Sequence, residues 1–171
     1  MKKSFIIGTK TFLSVIIFAL CLASCEESVT EVRYVETEEW TDFEGKWTSL
    51  YDDGYTVGKT TISYDDAAEE YSGEFTANII HFYIFVVSSK TDSGVFIIKL
   101  TSGENEGKYI AVYFRDFRES PKTADLTTAY SGYDLVLFDT EEEAVEGFVS
   151  ISAMSQYTKF WSSCIHSETA E

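Results

Sequence analysis

From Trp40 onward the chain is a succession of short runs rich in Val, Ile, Tyr and Phe, each ended by Gly, Asp or Ser. β-Branched and aromatic side chains suit a pleated, half-buried surface. Gly, Asp and Ser supply the backbone geometry of the turns between strands. The runs are Gly45–Tyr51, Val57–Tyr64, Tyr71–Ala77, Ile79–Ser88, Val95–Thr101, Tyr109–Asp116, Tyr133–Asp139 and a last one within Tyr157–His166. Turn clusters at Asp52-Asp53-Gly54, Asp92-Ser93-Gly94 and Ser102-Gly103-Glu104-Asn105-Glu106-Gly107 separate several of them. This spacing predicts an antiparallel meander, closed as a barrel or folded as a sandwich. The single proline, Pro121, falls in a connection and interrupts no predicted strand.

Two features refine this. Between Ile79 and Val87 both alternate sets of residues are apolar, with His81 the exception. A strand apolar on both faces is covered on both faces. Thr140 followed by Glu141-Glu142-Glu143 reads as a capping box with acidic residues in the first helical turn, and Ala144, Val145 and Phe148 give one apolar face. A short helix is therefore predicted before the last strand, and it is a natural cover for the doubly apolar strand.

The segment Phe43-Glu44-Gly45-Lys46-Trp47 opens the first strand, and here the chain resembles a lipocalin-like domain, whose first strand begins Gly-x-Trp. The resemblance spans most of residues 43–166. It implies a small β-barrel with Trp47 plugging one end and one short helix before the last strand. The chain departs from that pattern in two places: Thr91-Asp92 is followed by Ser93 rather than Tyr, and no arginine follows Arg118 to stack on Trp47, leaving Lys159 for that place. Eight strands are just wide enough either to be filled by side chains or to hold one small ligand. Both alternatives stand at this point.

The first two dozen residues predict export. Lys2, Lys3 and Lys10 precede the apolar run Phe12–Ala23, and no acidic residue occurs before Glu26. That is the pattern of a secretory signal, and the run is too short to cross a bilayer without including Lys10. Leu22-Ala23-Ser24-Cys25 resembles the lipobox of bacterial lipoproteins. The resemblance implies cleavage before Cys25 and acylation of Cys25 with fatty chains such as palmitate. Acidic Glu26 and Glu27 resemble the surface-display signal of one group of Gram-negative lipoproteins. The expected organisation is a signal peptide at 1–24, an acidic tether at 25–39 and a single β domain at 40–171. The expected location is the outer membrane of the cell envelope, lipid-anchored and facing the exterior.

Charge and cysteine count narrow the function. The chain carries 29 acidic and 13 basic residues, a formal net charge of −16. Loss of the three signal lysines takes the mature part to about −19, a field that repels nucleic acid. Cys21 leaves with the signal, Cys25 takes lipid and Cys164 has no partner, so no disulfide framework is expected. No His/Cys/Asp spacing predicts a metal site, no cofactor motif occurs, and no nucleophile has a recognisable local frame.

The residues that stand out for binding are Arg115 and Arg118, flanking Asp116-Phe117, and Tyr55 among Tyr51, Tyr64 and Tyr71. Two arginines beside an aromatic suit a carboxylate or sulfate on a sugar, and tyrosines among acidic turns suit an exposed sugar-binding surface. The function expected is a membrane-anchored, non-enzymatic binding module for an extracellular sugar, lipid or protein. The alternatives are a structural or inhibitory surface protein with a filled barrel, and a small glycoside hydrolase using paired carboxylates.

Overall fold

The computed structural model describes residues 31–65 and 74–167. The signal segment 1–24, Cys25 and residues 26–30 lie outside them. The described chain forms β1 (Val32–Glu36), β2 (Gly45–Thr48), β3 (Gly54–Val57), β4 (Thr61–Asp65), β5 (Phe75–Val87), β6 (Lys90–Leu100), β7 (Tyr109–Glu119), β8 (Lys122–Thr128), β9 (Tyr130–Ser131) and β10 (Asp134–Leu135). Helices α1 (Glu141–Phe148) and α2 (Ile151–Tyr157) and strand β11 (Ser162–Ser167) follow.

Eight antiparallel strands close into a barrel in the order β2-β3-β4-β5-β6-β7-β8-β11, with β11 pairing to both β8 and β2. The predicted meander and barrel are therefore present, with a helix before the last strand. The outer half of β5 carries one more strand, β1, in the register Val32↔Val87 to Glu36↔Tyr83. The tether predicted over 25–39 is thus corrected: Val32–Glu36 is sheet, because the 13-residue β5 outruns the five-residue β4 and leaves an edge to be paired.

The barrel encloses an aromatic core. Phe43, in a 3-10 turn just before β2, sits among five rings: Trp47 at 5.5 Å between centroids, Phe82 at 5.7, Phe96 at 5.5, Phe114 at 4.6 and Phe117 at 4.8. Trp47 is fully buried, and its indole N–H donates to the Phe43 carbonyl at 2.8 Å. The plug expected of Trp47 alone is shared, with Phe43 at its centre.

A second core lies outside the barrel wall. Phe85, Val95, Ile97, Ala111 and Tyr113 face outward and are covered by Ala144 and Phe148 of α1. This is the cover predicted for the doubly apolar strand. A register shift between Ile79 and His81 alters the alternation, so Ile79, Phe82 and Ile84 face the lumen while Ile80, Tyr83 and Phe85 face the helices. Thr140 caps α1 as predicted, accepting from the Glu143 amide at 3.3 Å, and the buried Tyr113 hydroxyl donates to the Phe148 carbonyl at its other end. Ser150 caps the unpredicted α2 by accepting from the Ala153 amide at 2.9 Å.

Other boundaries differ from the sequence reading. Gly58 turns the chain inside the single strand expected over Val57–Tyr64, with its amide bonded to the Thr61 carbonyl at 2.8 Å. The strands expected at Tyr71–Ala77 and Ile79–Ser88 are one strand where the chain is described. The strand expected over Tyr133–Asp139 reduces to β10 and an isolated bridge between Phe138 and Tyr109.

Candidate functional site

The lumen is the first place to seek a site in a barrel, and here it is occupied. Phe82, Phe96 and Phe114 are each at most 1% exposed, and their centroids lie 4.5–6.2 Å apart. Of the two outcomes open to eight strands, these rings supply the filled one.

Among the described residues, depressions open instead on the outer surface, and two of them take in His81 and Arg118, respectively. The first, about 450 Å³, is a slot in the barrel wall lined by Glu36, Glu38, Trp40, Glu44, Lys59 and His81, among others. Its position follows from the strand lengths. β4 pairs with β5 as far as Asn78 and β1 takes over at Tyr83, so Ile80 and His81 form the floor between the two ladders. Trp40 forms part of the wall, its indole N–H donating to the Gly58 carbonyl at 3.2 Å and its ring set edge-on to Phe82.

His81 ties this region together. Its Nδ1 lies 2.5 Å from a Glu36 carboxylate oxygen and its Nε2 lies 2.8 Å from one of Glu141, the first residue of α1. A neutral imidazole has one N–H, so bonding both carboxylates as a donor requires the protonated ring. Burial pushes the His81 pKa down, but the hydrogen bonds to Glu141 and Glu36 and their charges outweigh it and raise the value above that of a free histidine. Burial raises the Tyr83 hydroxyl in turn, as does its own bond to Glu36. Two carboxylates thus converge on His81, with its ring standing between them.

The second depression, about 520 Å³, crosses the outer face of β2, β11, β8 and β7. Its residues include the cross-strand row Thr48–Ile165–Thr123–Arg118 and the pair Ser163–Asp125, with Arg115 the next residue along the second row but outside the groove. Arg118, expected to contact a ligand, lines this groove. Arg115 belongs to a network instead: its guanidinium lies 4.2 Å over the Trp161 ring, and its Nε is 3.2 Å from Asp125, whose other oxygen accepts from Ser163 at 2.6 Å. The aromatic partner is thus Trp161. Phe117 turns into the barrel because the register slips between Arg115 and Arg118, where Asp116 takes a φ of 53°.

Tyr55 is a correction. It is 4% exposed, with its hydroxyl bonded to Thr128 at 3.0 Å inside the wall, and burial raises its pKa well above the ordinary value. It faces the core because β3 pairs Tyr55 with the inward Trp47. Tyr51, by contrast, is 84% exposed. Cys164 is a buried free thiol. Among the described residues no group of three or more His, Cys, Asp or Glu side chains could hold a metal ion, and no helix is long and apolar enough to cross a membrane.

Nothing in the local sequence marks Trp40, Glu36 or the clamp on His81 as a site. Glu36 and Glu141 stand 45 and 60 residues from His81 in the chain, so no local pattern marks them. Comparison with family models, with curated proteins and with solved structures finds no match to this chain.

Proposed function

We propose that this protein is a lipid-anchored, non-enzymatic binding module of the bacterial cell envelope that recognises its ligand on the outside of the barrel rather than in the lumen. The observation that carries the second half is the filled interior: Phe43, Trp47, Phe82, Phe96 and Phe114 take up the space a lipocalin-like ligand would need. The anchor rests on the sequence, where Leu22-Ala23-Ser24-Cys25 ends the apolar run at a lipobox. Two or more acyl chains on Cys25 would hold the chain stably at a membrane. The same packed interior favours a second reading, a structural or inhibitory surface protein with no small ligand at all.

Metabolic labelling with an alkyne analogue of palmitate tests the anchor. In a bacterial host the full chain takes up label and sediments with membranes, and Cys25→Ser loses both. An unlabelled wild-type chain in the soluble fraction overturns it. Protease treatment of intact cells then reports whether the barrel faces the exterior.

A further inference from the structure

The slot between β1 and β4 combines features that the acidic surface elsewhere does not explain. It is concave, with a volume of about 450 Å³, and its floor is the stretch of β5 between two ladders. One wall is the half-buried Trp40, which is held in place by its hydrogen bond to Gly58. Around it stand Glu36, Glu38 and Glu44, against a single lysine, Lys59.

We propose that this slot binds an alkylammonium group, seated against the Trp40 indole and neutralised by Glu36, Glu38 and Glu44. The proposal rests on the reading that recognition occurs outside the barrel, and it names a ligand class for that surface. An ammonium over a tryptophan face gains from the ring quadrupole, more so when partly desolvated in a cleft. The carboxylates supply the counter-charge, and the net charge of −16 steers cations toward the protein from a distance. Butylammonium-sized groups fit the volume, and both a free polyamine and a lysine side chain of a peptide present this chemistry.

His81 gives the site a pH response. The groups facing the ring are Glu36 on β1, Glu141 on α1 and Tyr83 on β5. Protonated His81 occupies both carboxylates and adds a positive charge to the floor. Neutral His81 can donate to one of them only and takes the positive charge off the floor, so the carboxylates lining the slot are less compensated. Ammonium binding therefore strengthens as pH rises from acid to slightly alkaline, a range in which an alkylamine itself stays protonated.

Isothermal titration of the full-length chain in detergent micelles tests this, with n-butylammonium, spermidine and a trilysine peptide as probes and n-butanol as the uncharged control. Saturable binding of an ammonium probe at pH 8 is expected, and none of butanol. Glu44→Gln weakens it roughly tenfold and Lys59→Gln strengthens it severalfold, as removal of an attractive and a repulsive charge in a cleft requires. The gain with Lys59→Gln is a direction that misfolding would not produce. His81→Gln flattens the pH dependence. Tighter binding of trilysine than of spermidine assigns a peptide as the source of the ammonium; the reverse order assigns a free polyamine. No saturable heat with any ammonium probe overturns the proposal, and so does an affinity unchanged by both charge substitutions. Either failure leaves the palmitate labelling result untouched, so the anchor and the slot are judged separately.

Discussion

The His166 imidazole packs edge-on against the Trp47 indole, with centroids 4.9 Å apart, and its Nε2 donates to the Glu44 carbonyl at 2.7 Å. This contact joins β11 to β2 at the point where the barrel closes, in the register His166↔Trp47. It also explains the glycine of Gly-x-Trp. Gly45 has a φ of 129°, and a β-carbon there would overlap the His166 ring and the Ser167 carbonyl. Histidine holds the place for which Lys159 was expected.

Gly45→Ala is therefore destabilising for two reasons, the positive φ and the overlap, with a cost of about 2–4 kcal/mol. His166→Ala alone costs about 1–2 kcal/mol through the lost hydrogen bond and ring contact. The double variant costs less than the sum, because removal of the ring relieves the overlap. Urea denaturation of the four proteins in this cycle checks it, and additivity would refute the account.

The clamp on His81 makes stability pH-dependent. Its pKa is raised in the folded chain above the value of a free histidine. A group of this sign stabilises fully below the unfolded value of about 6.5, and the contribution is lost as pH rises through the higher folded value. The midpoint of urea unfolding should thus fall between pH 6 and pH 8.5, with the fall reduced in His81→Gln. A wild-type midpoint that rises over that range contradicts the clamp.

Cys164 is 1% exposed, and burial, with Asp53 and Asp125 nearby, pushes its thiol up to about 12. At neutral pH it is a protonated, inert thiol. A thiol reagent such as DTNB should leave it unlabelled in the native chain and label it in step with denaturant unfolding. Rapid native labelling would place the thiol at the surface.

The outer core predicts a separable effect. Phe148→Ala removes the ring that packs on Tyr113, Phe138 and Tyr157. The substitution should cost about 3–5 kcal/mol. α1 should loosen before the barrel does, so amide exchange in Glu141–Phe148 rises more than in β6 and β7.

Much of the barrel was legible in the chain. β6 and β7 read as strands because their apolar runs are nearly continuous, which is what burial between a lumen and a helix layer requires. β8 was missed because Lys-Thr-Ala-Asp-Leu-Thr-Thr reads as polar, yet Ala124, Leu126 and Thr128 point inward at period two. β1 reads as tether because the segment around it is acidic and weakly apolar, and its five exposed residues become sheet through backbone pairing to β5. The state of the lumen was not legible, since the same aromatic content serves a filled barrel or an exposed binding surface. Register decided it, turning Tyr55 and Phe117 inward and leaving Tyr51 outside. The site was least legible of all, because Trp40, Glu36, His81 and Glu141 meet only through tertiary pairing.

The barrel is packed with aromatic rings, and the proposed recognition from its outside follows from that packing. Titration of the full-length chain with cis-parinaric acid, a fluorescent fatty acid of the size a lipocalin-like lumen would take, tests it most directly. A filled lumen predicts no saturable fluorescence gain and no quenching of the tryptophans at stoichiometric ligand. One-to-one binding that quenches the buried Trp47 and is lost when that residue is replaced by Phe would contradict it.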